Sequence, residues 1–233
     1  SSHFVNTVSS TFLKEIVEGL HDFVDENLRQ ELGHKMSAGC ASGILNAPDA
    51  SFNPSKDDAL AWQYNAANHG EGKKGNKRSL QEALGLIKDD QSPLFLWSSR
   101  LDAVQKGSHL LSEIIYNVVS RYWKNNLQIV FVADGDFQEH FKDIVRFHNL
   151  SDRVAICDFD EQLSRLAYGA ADFVLMPSLF EPCGLPQMIG PIYGALPVAR
   201  DTGGIHDTVV NLNIDEDTGN GFLFETFDTN GLL

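Results

Sequence analysis

Residues 127–133 read LQIVFVA and residues 171–177 read ADFVLMP, two short apolar runs with very few polar side chains. Three further runs of this kind are PLFLWS at 93–98, RVAIC at 153–157 and LPVA at 196–199. Runs this short and this uniformly apolar are typical of strands that are covered on both faces of a parallel sheet. The sequence therefore predicts five parallel strands.

Amphipathic stretches of helical length separate these runs, as in consecutive βαβ units. The predicted crossover helices span 107–122, 137–147, 161–169 and 185–193. Because such crossovers are almost always right-handed, the predicted fold class is α/β, with a Rossmann-like doubly wound parallel sheet. Ligands of such sheets bind at the carboxyl ends of the strands, so the loops at that edge are the candidate sites.

The residues before the first predicted strand follow another pattern. They predict a helix at 10–29, a stretch containing glycine and serine at 37–50 and a polar linker at 65–78. We therefore divide the chain into a connecting region, 1–90, and a sheet domain, 91–233. Both ends of the sequence are expected to be cuts through a longer protein.

The composition argues against several classes of function and partner. A net charge of −14 argues against a nucleic-acid partner, because binding a phosphate backbone needs clustered Lys and Arg. Three cysteines, Cys40, Cys157 and Cys183, lack CxxC spacing, so neither a disulfide framework nor a zinc site is expected, and a reducing compartment is the default. The sequence has no basic leader and no apolar run of membrane-spanning length, so no membrane partner is expected.

The loop after the first predicted strand, SSRLDAVQKG at 98–107, places Ser99, Arg100 and Lys106 before a helix. Two nearby cations can bind one diphosphate and stabilise the negative charge that develops as a sugar–phosphate bond breaks. A solvated pair at a helix start would give the same pattern, although cations at that end oppose the helix dipole.

A second loop, PSLFEPCGLPQ at 177–187, follows another predicted strand. Glu181 can accept hydrogen bonds from sugar hydroxyls, and Gly184 lets the amides of Cys183, Gly184 and Leu185 approach a ligand. Alternatively, Glu181 stabilises a helix N-terminus as an acid. Cys183 suits packing better than nucleophilic chemistry, since the sequence indicates no base beside it.

A third loop, ARDTGGIHDTV at 199–209, contains Thr202, Gly203 and Gly204. Paired glycines at a helix start leave exposed amides that suit an anion. A plain strand-to-helix turn capped by Asp201 or Thr202 would read the same way. The interpretation as an anion site is strengthened because this loop is the third candidate at the same edge of the sheet.

Other motifs in the sequence give little evidence for a functional site. Gly70, Gly72 and Gly75 match GxGxxG, but no strand precedes them, so a dinucleotide site is not expected. DEDTGNG at 215–221 lacks the glycine and glutamate positions of a calcium loop and predicts a turn. The eight histidines show no paired metal spacing, so no metal site is expected.

Together the loops resemble the bacterial glycogen synthase and plant starch synthase family, which has the glycosyltransferase-B fold. The similar segments run in the family's order along nearly the whole chain. They are HFVNTVSSTFLKEI at 3–16, SGILNAPDASFNP at 42–54, GKKGNKRSLQEALGL at 72–86, and the SSRLDAVQKG, EPCGLPQ and TGGIHDTV segments.

The resemblance implies a role for each candidate residue. Arg100 and Lys106 would bind the donor diphosphate and act as electrophilic catalysts in place of a metal. Glu181 would hold the transferred glucose, with Cys183, Gly184 and Leu185 assisting and Asn46 near the sugar. Thr202, Gly203 and Gly204 would bind the distal phosphate, and Phe159 would stack on the base. Ser99 would belong to the donor loop.

The implied reaction moves glucose from ADP-glucose or UDP-glucose to an α-glucan with retention and without a cofactor. Residues 1–90 would be the end of the acceptor-side domain and the interdomain segment, and residues 91–233 the nucleotide-sugar-binding domain. The rest of the amino-terminal domain would supply most acceptor contacts, and the compartment would be cytoplasm or plastid stroma. Two alternatives stay open: a sucrose or trehalose synthase relative, and a silent nucleotide- or glucan-binding regulatory module. A dehydrogenase-like domain fits less well, since SSRLDAVQKG is not a glycine-rich dinucleotide loop.

Overall fold

The computed structural model describes residues 2–233 and contains two parallel sheets. A two-stranded sheet pairs β1 (Val5–Thr7) with β2 (Ala41–Gly43). The larger sheet has six strands in the order β5-β4-β3-β6-β7-β8. Its strands are β3 (Leu94–Trp97), β4 (Gln128–Val132), β5 (Val154–Cys157), β6 (Phe173–Met176), β7 (Leu196–Arg200) and β8 (Phe222–Phe224). This order is that of a doubly wound sheet.

Helices follow the strands in chain order. They are α1 (Ser10–Glu18), α2 (Glu26–Ser37), α3 (His69–Leu84), α4 (Ser108–Arg121), α5 (Gln138–Phe147), α6 (Glu161–Ala170), α7 (Pro186–Ile192), α8 (Gly203–Thr208) and α9 (Thr229–Leu232). A single 3-10 turn, Trp123–Asn125, precedes β4. Within residues 2–233, no helix is both long and apolar enough to span a bilayer.

Alternating side chains of the strands supply two cores, one on each face of the large sheet. Phe131 packs with residues of α4 and α5 on one face, while Val130 packs with residues of α3 and α6 on the other. Neighbouring residues of a strand point to opposite faces, so a run with apolar residues at every position is covered on both sides. The predicted fold class and all five predicted strands are confirmed, with ends that differ by at most two residues.

The predicted helix at 10–29 is wrong in its length, because the structure divides this segment into α1 and α2. Ser9 caps the start of α1 by accepting a hydrogen bond from Phe12 N, and Gly19 ends it in the left-handed region at φ 79°. Glycine adopts that conformation at little cost, which makes it a common helix stop.

The predicted polar linker at 65–78 is also wrong, since most of it lies in α3. A Cβ added at Gly72 would lie 2.4 Å from Tyr64 Cβ, and one added at Gly75 would lie 2.4 Å from Trp62 Cδ1. The two glycines therefore allow aromatic side chains to approach the helix. The GxGxxG motif is a packing surface here, and its polar neighbours are paired, with Lys77 Nζ 2.6 Å from Asp172 Oδ2.

The two parts of the chain share a core. Leu60, Tyr64, Leu80 and Leu86 pack in the same cluster as strands β3, β4 and β6. The hydrophobic core thus crosses the predicted division between residues 90 and 91, while the small β1/β2 sheet lies apart from the large one. The assignment of residues 1–90 to the end of an acceptor-side domain and an interdomain segment remains a prediction, and residue 1 lies outside the described range.

Candidate functional site

The order of strands reverses between β3 and β6, which lie side by side in the large sheet. Crossovers on the two sides of this point leave in opposite directions, so a crevice opens at the carboxyl ends of the two strands. The loop containing Arg100 and Lys106 follows β3, and the loop containing Glu181 follows β6. Two of the predicted loops therefore meet at the switch point of the fold.

A charge pair joins the two loops. Lys106 Nζ lies 2.6 Å from Glu181 Oε2, with 15% of the Lys106 side chain and 7% of the Glu181 side chain exposed. The Ser178 hydroxyl donates to the same carboxylate oxygen at 3.3 Å. Removing charges from water is costly, so a pair this buried persists only because each charge compensates the other.

Arg100 differs from Lys106 in its exposure. Its side chain lies at the surface, and Nη2 is 3.3 Å from Gln105 Oε1. A guanidinium held by a single neutral acceptor keeps most of its donors for a ligand. Ser99 is half-buried in the same loop, where its carbonyl accepts a 2.7 Å hydrogen bond from Trp97 Nε1.

The local sequence fixes the shape of the first loop. Asp102 Oδ1 accepts hydrogen bonds from Val104 N at 3.0 Å and Gln105 N at 2.6 Å, which closes a turn. Gly107 has φ 72°, and a Cβ there would lie 2.0 Å from Pro177 O. The start of α4 therefore packs directly on the end of β6, and this close approach brings Lys106 beside Glu181.

The second loop is held by its own side chains and by α8. Gln187 Nε2 donates to Cys183 O at 2.8 Å, Gly184 O at 3.2 Å and Thr208 Oγ1 at 3.1 Å. Cys183 is buried, while Leu185 is exposed at the start of α7. The loop is thus rigid where it carries Glu181, as a residue that positions a substrate requires.

Thr202, Gly203 and Gly204 make contacts that differ from those expected of a phosphate site. Gly203 N donates to Glu15 Oε1 at 2.8 Å, and Thr202 Oγ1 donates to the same oxygen at 3.0 Å. Gly204 N donates to Glu181 O at 2.9 Å. In this structure these donors serve an internal carboxylate and a loop carbonyl, because α1 packs against α8.

Phe159 borders a cavity of about 250 Å³ at the same edge of the sheet. Phe159 is 56% exposed, and Ser98, Tyr168 and Leu185 line the same cavity. Ser98 Oγ and Tyr168 Oη lie 2.7 Å apart, and burial raises the pKa of the Tyr168 phenol, so it stays a hydrogen-bond donor. A flat apolar ring above neutral polar groups suits a nucleobase.

Asn46 lies in the exposed, irregular segment after β2, away from any regular element. Among residues 2–233, no group of three or more His, Cys, Asp and Glu side chains is placed to hold a metal ion. The 215–221 segment forms turns, with Asp217 at φ 51°.

Sequence reasoning missed the residues that support Glu181. Glu15, His21, Ser178 and Gln187 lie outside the predicted set. Ser178, Gln187 and His21 contact Glu181 or residues of its loop, and Glu15 contacts Gly203, which packs on that loop. One signal was available for Glu15, since it lies at the edge of the apolar stripe of α1 that contains Phe12 and Ile16. A carboxylate at such a position needs a partner.

Comparison with known proteins gives matches along the whole chain. The profile of the family described as "Glycosyl transferases group 1" matches residues 92–233. The glycogen synthase of Acholeplasma laidlawii is 36% identical over 231 residues, which cover 97% of this chain and 46% of the relative. That of Anoxybacillus flavithermus is 35% identical over 238 residues, which cover 100% of this chain and 46% of the relative. The chain spans about half the length of the curated relatives it matches.

A solved structure gives the same result. The catalytic domain of starch synthase IV from Arabidopsis thaliana, bound to ADP and acarbose, matches with a TM-score of 0.85 and 34% identity. The match covers 99% of this chain and 46% of that one. These comparisons confirm the resemblance that the ordered motifs predict.

Proposed function

The chain belongs to the group 1 glycosyltransferases, and we propose that its full-length protein is a glycogen or starch synthase. It transfers glucose from ADP-glucose or UDP-glucose to the non-reducing end of an α-1,4-glucan with retention. This chain holds the donor half, and the remaining half of the protein supplies most contacts with the acceptor. The similarity to glycogen synthases and to a starch synthase bound to ADP supports this proposal.

The Lys106–Glu181 pair at the switch point is the observation that carries the proposal. A donor diphosphate that enters the crevice brings two or more negative charges beside Lys106, while Glu181 remains beside the sugar. One ammonium then faces both the carboxylate and the leaving phosphate. Arg100, exposed in the same loop, adds a planar donor for phosphate oxygens.

These positions support the following roles in the proposed reaction. As the sugar–phosphate bond breaks, negative charge grows on the leaving diphosphate, and Lys106 and Arg100 stabilise it more than they stabilise the ground state. The leaving phosphate takes the proton of the acceptor hydroxyl. Glu181 accepts hydrogen bonds from glucose hydroxyls, and amides from Cys183 to Leu185 assist it. No bound metal or cofactor is part of this proposal.

The nucleobase is proposed to enter the cavity beside Phe159. Its lining offers a ring for stacking and the Ser98 and Tyr168 hydroxyls for the base edge. The starch synthase complex, whose ligand is ADP, supports adenine over uracil. A reducing compartment, cytoplasm or plastid stroma, suits the three free cysteines.

Calorimetric titration of the chain with ADP, UDP and ADP-glucose tests the pocket. We expect ADP binding that is lost in the Arg100→Ala, Lys106→Ala double variant, because that variant lacks both phosphate-binding cations. Unchanged affinity in the double variant would contradict the assigned diphosphate site. A silent regulatory module would bind nucleotide in the same way, so turnover by the full-length protein separates the two functions.

A further inference from the structure

The Glu15 carboxylate lies where residues 1–90, here called the amino-side unit, meet the loop that carries Glu181. Its Oε1 accepts the hydrogen bonds from Gly203 N and Thr202 Oγ1, and its Oε2 lies 3.0 Å from His21 Nε2. Only 12% of the side chain is exposed. A carboxylate this buried, with both oxygens engaged, holds its neighbours in one geometry because leaving those donors unpaired is costly.

The Gly203–Gly204 turn connects the Glu15 carboxylate to the loop that carries Glu181. Gly204 N donates to Glu181 O at 2.9 Å. A Cβ at Gly203 would lie 2.0 Å from Glu181 O, and one at Gly204 would lie 2.1 Å from Cys183 O. The turn therefore contacts the backbone on both sides of Pro182, so a shift of the turn moves the loop.

His21 provides a second route to the same loop. Its ring centroid lies 5.6 Å from that of Phe180, the residue before Glu181, and Phe23 packs on Phe180 with centroids 4.5 Å apart. The Glu15–His21 pair thus contacts the Phe180–Glu181 segment through a ring and through the glycine turn.

From these contacts we propose that Glu15 is a positioning residue for Glu181. It acts from the amino-side unit, through Gly203 and Gly204, and it never touches the substrate. This inference rests on the proposed function, since it assigns Glu15 to the same reaction. It also explains why the donors of Thr202 and Gly203 face a carboxylate from α1.

The other end of the α1–α8 contact offers a matched control. Asp207 of α8 accepts hydrogen bonds from Ser9 Oγ at 2.6 Å, Thr11 N at 3.2 Å and Thr11 Oγ1 at 2.6 Å. Each helix therefore caps the start of the other, but among the described residues the Asp207 side chain has no hydrogen bond with the Glu181 loop. We therefore expect Asp207→Ala to weaken docking of the two helices and to leave the glycine turn in place.

Four variants of the full-length protein test the proposal: Glu15→Ala, Glu15→Asp, Glu15→Gln and Asp207→Ala. Misplacing a positioned group by about 1 Å costs on the order of 100-fold in rate, so we expect Glu15→Ala and Glu15→Asp to lower kcat at least about tenfold. The Asp variant keeps the charge but withdraws it from Gly203 N. ADP affinity should change much less than kcat.

Glu15→Gln keeps a carbonyl oxygen for Gly203 N and Thr202, so we expect it to retain most of kcat. Asp207→Ala should lower the thermal midpoint but leave kcat near the wild-type value. Equal kcat losses in Glu15→Ala and Asp207→Ala would overturn the proposal, because docking alone would then explain both. Tighter ADP binding in Glu15→Ala would also overturn it, since the carboxylate would then be a competitor of phosphate.

A crystal structure of Glu15→Asp gives a readout that does not depend on activity. We expect the Gly203–Gly204 turn and the Glu181 backbone to be displaced together, with the Ser9–Asp207 contact intact. An unmoved Glu181 would refute the positioning role even if the wild-type protein transfers no glucose. Inactivity of the wild-type protein alone would count against the proposed function and not against this inference.

Discussion

Lys106 Nζ lies 2.6 Å from Glu181 Oε2, and this buried pair connects the loops that follow two neighbouring strands. Both side chains are largely buried, so each charge compensates the cost of removing the other from water. The same cation faces the crevice at the switch point. The pair therefore joins the two tasks that we assign to this edge of the sheet.

Lys106→Ala in the full-length protein tests the electrophilic role. Losing one preorganised donor to a developing anion costs about 100- to 1,000-fold in kcat, and we expect a loss in that range. Initial rates with ADP-glucose and a glucan primer measure it. A near-normal kcat would refute the role of Lys106.

The free energy of unfolding of the chain should also depend on the Lys106–Glu181 pair. Lys106→Met leaves the Glu181 carboxylate buried without its partner, which we expect to cost about 3 to 5 kcal/mol of unfolding free energy. Adding Glu181→Gln removes the stranded charge, so the double variant should recover much of that loss while remaining inactive. Urea unfolding measures the free energy of unfolding of the single and the double variant. A double variant that is no more stable than Lys106→Met would argue against a paired charge.

Arg100→Ala should affect binding and leave stability unchanged, because the side chain is exposed and makes one hydrogen bond. A charged hydrogen bond contributes about 1.5 to 3 kcal/mol, so ADP should bind correspondingly more weakly in calorimetric titration. Arg121→Ala is the control, since it removes an exposed arginine at the far end of α4. Similar effects of the two variants would point to general electrostatics.

Gly204→Ala should damage the site through packing. The added Cβ would lie 2.1 Å from Cys183 O, so the Glu181 loop must move, and we expect a large loss of kcat together with lower stability. Gly70→Ala is the control, because nothing lies within 4 Å of its added Cβ. Retention of wild-type kcat by Gly204→Ala would show that the loop tolerates displacement.

Acid should weaken the α1–α8 contact. Burial opposes ionisation of Asp207, but hydrogen bonds from Ser9 and Thr11 outweigh it and hold the pKa of this carboxyl below its usual 3.8. The folded form then binds fewer protons, so the contribution to stability is complete above the unfolded pKa and is lost as the pH falls through the folded pKa.

Comparison with Asp207→Asn isolates this effect. The difference in urea midpoint between the wild-type chain and the variant should be largest near about pH 7 and shrink towards about pH 3. A difference that is independent of pH would show that ionised Asp207 adds nothing to the contact.

The sheet was predictable because its strands are uniformly apolar. These apolar runs predicted the ends of β3 to β7 to within two residues, and the positions of the strand-to-helix loops followed from them. Polar α3 was missed because Gly72 and Gly75, which disfavour helix in isolation, are stabilised there by contact with Tyr64 and Trp62. Tertiary packing of this kind leaves no local signal.

The site was predictable in part. Arg100, Lys106 and Glu181 stood out because each follows a strand, and the structure joins Lys106 to Glu181. The partner of Gly203 could not be read from the sequence, since Glu15 lies 188 residues away along the chain. The local motif suggests that the Gly203 amide is free for a ligand. Only the folded structure shows that this amide already donates a hydrogen bond to Glu15.

Glucose transfer by the full-length protein is the most direct test of the proposed activity. The protein is incubated with ADP-glucose and a glucan primer, and proton NMR follows the anomeric signal of newly attached glucose. We predict new α-1,4-linked glucose with the wild-type protein and a loss of about 100-fold or more with Lys106→Ala. Nucleotide binding without any transfer would contradict the proposed activity, and transfer that is unaffected by Lys106→Ala would contradict the role of Lys106.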